Sequence, residues 1–263
     1  MDDKLTSEQI LCLQWLGYQP MEIIRADQSF FCRQIEERGE AEEMLDKAMR
    51  LLDRQRGMGI RTIPFHDIAF PVGLRRIGDD CPPLIHLLGN VELLDREAVA
   101  IIGARQADKW GCEAAYTLGA EYAGKGDVII SGLALGCDAA AHRGCLDAWG
   151  NTIAIVATGL DRTHPKEHKP LQDLILAREG LLLSEQPIGV KANPTRLIAR
   201  NRLQAALAQK VMVAQCPLAS GTMHTVRFAQ KYGKSIYAVS SRRYEEKNSG
   251  NKYLLEEGIA MPL

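Results

Sequence analysis

Five short stretches of this 263-residue chain gather glycine, hydroxyl, amide and guanidinium groups, the set that holds phosphate through backbone N–H donors and fixed cations. The first is Gly103-Ala104-Arg105, followed by a polar loop to Gly111. A glycine at such a turn lets backbone N–H groups approach an anion, and Arg105 offers a two-pronged fork; the plain alternative is a tight turn carrying a surface arginine. The second, Ser131 to Asp138, contains Gly132 and Gly136 at GxxxG spacing, so it is not the GxGxxG of dinucleotide sites. Here Asp138 is read as a helix cap and His142, one turn on, as a structural hydrogen-bonding group rather than a proton carrier. The third, Thr158 to His168, joins a glycine turn to Arg162, Lys166 and two histidines. Pro165 between His164 and His168 argues against both rings meeting on one metal. The fourth, Arg200-Asn201-Arg202, opens a helix, and the fifth, Ser220-Gly221-Thr222, opens another. Arg202 has a second reading, as the partner of a structural ion pair.

These stretches need strands to carry them. From Ala98 onward, apolar runs recur at 98–102, 127–130, 152–157, 180–184, 210–214 and 235–239, too uniformly apolar for strands with one wet face. Amphipathic stretches at about 111–123, 138–148, 170–178, 200–208 and 222–232 alternate with them. The alternation predicts an α/β fold, an extended Rossmann-like, doubly wound and mostly parallel sheet, with every phosphate-compatible stretch at a strand's carboxyl end. Residues 6–16 and roughly 30–55 have helical periodicity, so 1–56 is expected as a small helical N-terminal appendage and 57–263 as the sheet domain.

Composition narrows the function classes. Net charge is −1, which by itself says nothing for nucleic acid, but the two parts differ. Residues 1–56 hold eight basic and twelve acidic side chains; 57–263 hold 24 and 21, and the stretches 191–202 and 224–243 contain no carboxylate at all. Solvated helix faces account for such runs as well as a polyanion does. No apolar run is long enough to span a bilayer, and the acidic, polar start is unlike a secretory leader, so a cytoplasmic protein without a membrane partner is expected. Seven cysteines, an odd number without a CxxC pair, suit a reducing compartment and argue against structural zinc. No metal and no cofactor is expected.

Taken in order, GAR (103–105), SGLALGCDAAAH (131–142), GNTIAIVATGLDRTHP (150–165), LLSEQP (182–187), RNR (200–202) and ASGTMHT (219–225) resemble the DprA/Smf family, as do Phe70 to Leu74, Pro82-Pro83-Leu84 and Gly89 upstream. The resemblance covers about 70–263. It implies a non-catalytic protein that binds single-stranded DNA in a positive pocket, forms a homodimer and helps load a RecA-type recombinase in natural transformation or recombination. By position, it puts phosphate contacts at Gly103, Arg105, Ser131, Gly132, Gly136, Lys166, Arg200, Asn201 and Arg202, with Ser220, Gly221 and Thr222 completing the pocket. The chain departs from the family pattern at Ala104, Cys137, His164 and His168, and it reads as a short member without the winged helix that ends many relatives. A specialised relative in phage defence or a toxin–antitoxin pair is one variant of this reading. The rival class is a nucleotide-sensing protein or a LOG-like nucleotide phosphoribohydrolase of the same fold. Against the hydrolase, Thr225 stands where its glutamate would be, which leaves Glu185 as the remaining acid–base candidate.

Overall fold

The structure, a computed structural model, describes residues 3–36 and 41–263. The N-terminal part folds as α1 (Ser7–Trp15), α2 (Pro20–Arg25), α3 (Gln28–Glu36) and α4 (Ala41–Gly57). Thr6 and Gln9 form a reciprocal capping box at α1, satisfying two amide groups that the first turn leaves open. The helix expected over 30–55 is two helices, and its residues 37–40 lie outside the described ones. Helix α2, not anticipated, starts with Pro20 at its first turn, where a missing N–H costs nothing. Ile10, Leu11, Leu13, Ile23, Phe31, Ala48 and Leu52 bury one another, and Leu84 of the sheet joins them.

The rest of the chain runs β1 (Arg61–Pro64), α5 (Val72–Arg75), β2 (Leu84–Gly89), β3 (Ala98–Ile102), α6 (Lys109–Gly124), β4 (Val128–Ser131), α7 (Cys137–Asp147), β5 (Thr152–Ile155), α8 (Lys169–Ala177), β6 (Leu181–Ser184), α9 (Pro194–Leu207), β7 (Lys210–Val213), α10 (Thr222–Lys231), β8 (Ser235–Ala238), α11 (Ser249–Glu256) and β9 (Met261–Pro262). The strands form one sheet in the order β1-β2-β6-β5-β4-β3-β7-β8-β9, parallel from β6 to β9, with β2 antiparallel to both β6 and β1. Alternate residues of each central strand serve opposite faces, as a pleated strand requires. Ala100, Ile102 and Val213 pack with Leu203 of α9 and Val226 of α10; Val99, Ile101 and Met212 pack with Leu118 of α6 and Ala141 of α7. Burial on both faces is why these strands read as unbroken apolar runs. The six expected strands and the doubly wound α/β Rossmann-like fold are all present. No helix among the described residues is long and apolar enough to cross a membrane.

Two local devices set how tightly this sheet is covered. Helices α6 and α7 cross at glycines: a Cβ on Gly144 would overlap the Tyr116 carbonyl, and one on Gly119 would overlap the Ala141 carbonyl. At the other end, α4 reaches the antiparallel edge through Gln55, which is buried. Its Nε2 donates to Thr62 Oγ1 at 2.9 Å and lies 3.0 Å from His86 Nδ1, and its Oε1 accepts from the Ile188 N–H at 2.9 Å. The His86 ring is fully enclosed, its Nε2 has no partner among the described residues, and burial drives its pKa down from 6.5 to about 3.

Two outcomes follow. Gly144→Ala would gain about 1 kcal/mol in helix propensity but force α6 and α7 apart at a cost of about 1–3 kcal/mol, so urea denaturation should show a net loss of stability. Because His86 is neutral when folded and protonates near pH 6.5 when unfolded, its contribution is complete above pH 6.5 and falls as pH drops towards 3. Between pH 7 and 5 this amounts to about 2 kcal/mol. His86→Gln should flatten the acid limb of the stability profile by that amount; an unchanged limb would show that the ring is not held neutral.

Candidate functional site

In an open α/β sheet, ligands bind where neighbouring strands send their connections to opposite faces. Here that point lies between β3, which continues to α6, and β7, which continues to α10. A cleft of about 520 Å³ opens there, lined by residues 102–106 after β3, by Asn201 and Gln204 of α9, and by residues 219–222 at the start of α10. Its two banks are tied by the Ala104 N–H, which donates to the Gln215 carbonyl at 2.7 Å. Gly103 is required at this crossing because a Cβ there would overlap Cys137 Sγ. Arg105 is exposed at the rim and makes no hydrogen bond or ion pair among the described residues. The Gly221 and Thr222 N–H groups, at the start of α10, have no helical acceptor and carry the positive end of its dipole.

The loop after β4 differs from its sequence reading. Asp138 does not cap α7, which starts at Cys137 with Gly136 before it. Its carboxylate turns back into the loop and accepts from the N–H groups of Gly132 at 3.1 Å and Ala134 at 3.4 Å. Donors read as a phosphate cradle are therefore occupied by the chain's own anion. Burial raises the Asp138 pKa, opposed by the charge of Arg200 and by these N–H groups. Arg200 is itself 5% exposed: Nη1 donates to the Gly132 carbonyl at 2.6 Å and to the Ile155 carbonyl, and burial lowers its pKa to about 10, leaving it charged at neutral pH. Gly132 must lack a side chain, since a Cβ would overlap that guanidinium, and Gly136 holds φ +73° against the Ala104 carbonyl. Ser131 Oγ donates to the Ile101 carbonyl at 2.7 Å, cross-linking adjacent strands.

The two histidine assignments resolve separately. His142 is buried with Nδ1 2.7 Å from Thr152 Oγ1, the structural hydrogen bond expected of it. His168 Nδ1 lies 2.8 Å from the Leu133 carbonyl, a residue at φ +57°, so its ring supports the loop after β4, while His164 lines a second cleft. That cleft, about 670 Å³, also holds Arg162, Lys166, Lys169 and Lys191. Lys169 pairs with Asp173; Lys166 and Lys191 make no ion pair among the described residues.

Arg202 takes its second reading. Both ends of its guanidinium grip the Glu185 carboxylate, Nε donates to the Asp80 carbonyl at 2.7 Å, and it does not line the cleft. Residues two apart on a helix point about 200° away from each other, so Arg200 and Arg202 cannot serve one pocket. Glu185, the acid–base candidate of the rival reading, is spent in the same pair. The structure thus brings Gly103, Arg105, Arg200, Asn201, Ser220, Gly221 and Thr222 to one cleft and Lys166 to its neighbour, and turns Ser131, Gly132, Gly136 and Arg202 into supporting parts. Sequence reasoning missed Gln204 although it stands one turn after Arg200 within the helix expected over 200–208, and it also missed that α9 starts at Pro194. Asn193 capping the Arg196 N–H, with proline next, was the available signal.

The family described as DNA recombination-mediator protein A matches residues 61–263. DNA processing protein DprA of Bacillus subtilis is 32% identical over 222 residues, 84% of this chain and 74% of that protein. The X-ray structure of DprA from Streptococcus pneumoniae superposes with a TM-score of 0.80 over 99% of this chain and 95% of that one, at 28% identity. DprA from Helicobacter pylori, whose structure concerns its single-stranded DNA binding mode, superposes with a TM-score of 0.69 over 77% and 90%, at 35% identity. These relatives give no support to the hydrolase, nucleotide-sensing or defence variants. With its match over 61–263 and its cleft at the β3–β7 switch point, the chain belongs to the DprA/Smf family of DNA recombination-mediator proteins.

Proposed function

We propose that this protein processes DNA by holding a single strand along the cleft at the β3–β7 switch point and the basic cleft beside it, without catalysing a reaction. The observation that carries the reading is the pairing of an unengaged, exposed Arg105 with the open N–H groups of Gly221 and Thr222. Donors of this kind bind phosphodiester groups and carry no base information. Asn201 lines the same cleft beside the α10 start, its Nδ2 donating to the Gly221 carbonyl at 3.4 Å. Lys166 and Lys191, with Arg162 paired to Asp161 beside them, add positive charge in the second cleft, whose His164 lies close enough to Arg105 and Arg200 to feel their charge. The Helicobacter pylori relative, whose structure concerns its single-stranded DNA binding mode, favours a single strand over a duplex. Arg200 contributes by holding the loop and lending its charge from beneath, and Ser131, Gly132 and Gly136 contribute through that loop's shape. Transfer of the strand to a RecA-type recombinase, and action as a homodimer, belong to the same proposal and rest on the family resemblance.

The test sets a binding arginine against a structural one. With labelled single-stranded and duplex oligonucleotides in a salt series, wild type should prefer the single strand, its affinity falling steeply with salt. Arg105→Ala should weaken binding about tenfold or more and lower the salt slope by about 0.7, with the denaturation midpoint unchanged. Arg202→Ala, which leaves the partly buried Glu185 carboxylate without its partner, should cost about 3 kcal/mol of stability. Equal, weak binding of both nucleic acids by wild type and Arg105→Ala would overturn the proposal.

A further inference from the structure

The acidic N-terminal part is not acidic throughout. Four of its eight basic side chains, Lys47, Arg50, Arg54 and Arg56, fall within residues 47–56, where Asp53 is the one carboxylate. The dipole of α4 favours cations at its carboxyl end, which is enough to account for Arg56, paired there with Asp53. Arg50 and Arg54 stand one turn apart on a different face. That face lines a third cleft, of about 330 Å³, together with Arg162, Ile188 and Gly189 of the sheet domain. Arg54 is exposed, and its side chain makes no hydrogen bond or ion pair among the described residues.

The position of this face is fixed from beneath. Gln55, the next residue, is buried and accepts from the Ile188 N–H, and the Gly189 N–H donates to Asp161 Oδ1 at 2.9 Å. The end of α4 and the loop bearing Arg162 are therefore held on one short segment, whatever the exposed arginines do. Asp161 and Arg162 line the second cleft as well as the third, so the two adjoin. Asp161 is the one carboxylate among the residues lining them, and it is occupied by the Gly189 N–H and by Arg162. Lys166, Lys191 and Arg54 are left without a counter-charge in the free protein. Like charges gathered in this way repel one another, and a polyanion laid across them relieves the repulsion.

We infer that the bound single strand continues from the second cleft across Arg162 onto α4, where Arg54, with Arg50 beside it, takes a further phosphate. This rests on the single-strand reading above and deepens it: the helical N-terminal part is a working section of the DNA interface, and the length of strand covered extends to α4. Contacts of this kind carry no base information, so the gain follows length and not sequence.

The experiment titrates the full chain with oligo-dT of increasing length, from about 4 to about 16 nucleotides, the range of site sizes of sequence-independent single-strand binders. Wild type is compared with Arg54→Glu, with Arg54→Gln, which spares the end of α4 a negative charge, and with Arg33→Glu, the same reversal at an exposed residue of α3 that lines none of the three clefts. Wild-type affinity should rise with length until the strand reaches α4. Arg54→Glu should match wild type on the shortest strands bound and bind the longest about tenfold more weakly, its salt slope smaller by about 0.7 on the long strands alone. Arg54→Gln should show the same pattern, weaker, at unchanged Tm, and Arg33→Glu should behave as wild type. If both Arg54 variants bind long strands as tightly as wild type, or if Arg33→Glu loses as much as they do, the inference is overturned. An equal loss at every length also overturns it, since a general change of charge or shape produces that. If wild type gains nothing with length beyond the shortest strand it binds, the path onto α4 falls and the single-strand reading stands; if it binds no strand of any length, both fall.

Discussion

The buried guanidinium of Arg200 is the interaction on which the site rests. It reaches from α9 to carbonyl groups at the ends of β4 and β5 and sits opposite the Asp138 carboxylate of α7. Three successive βα units are therefore joined at one charge. Burying it is unfavourable, as its lowered pKa records, and the compensation is local: two carbonyl dipoles and one carboxylate, each of which would otherwise be buried with fewer partners. The carboxylate in turn satisfies the loop N–H groups of Gly132 and Ala134. The loop is held in one shape before any ligand arrives, and binding is left to groups that face outward.

That division of labour explains an apparent excess of phosphate-compatible residues. Glycines at 103, 132 and 136 are dictated by what a Cβ would strike, namely Cys137, the Arg200 guanidinium and the Ala104 carbonyl. They let the three connections approach closely enough for Arg105 to stand at the rim of the cleft while Asn201 and the α10 start line its other side. The close crossing of α6 and α7 through Gly119 and Gly144 and the Gln55 contacts at the antiparallel edge brace the same sheet from both ends.

Much of this was legible from residue order. Strands buried on both faces have no polar alternation to blur them, so the run 98–102 agrees with β3 at both ends. The antiparallel edge was less so, since β2 carries His86 within its apolar run and nothing local records which way a strand points. The start of α9 was missed although Asn193-Pro194 marked it, and Gln204 was missed although it stands one turn after Arg200 in the expected helix. The placement of Arg200 and Arg202 in one pocket conflicted with helix geometry that the sequence already implied.

The amino-acid sequence by itself determined the doubly wound sheet, the strand ends at which small and cationic residues collect, and the family to which the chain belongs, because periodicity and motif order are local properties. Only the tertiary structure decided which of those residues face a ligand. Asp138 could cap its own helix or fill the loop beside it, and Arg202 could meet a phosphate or Glu185; the choice depends on which partners the fold brings within hydrogen-bonding distance. Burial then makes that choice binding, since a charge withdrawn from water must keep whatever partner the packing supplies.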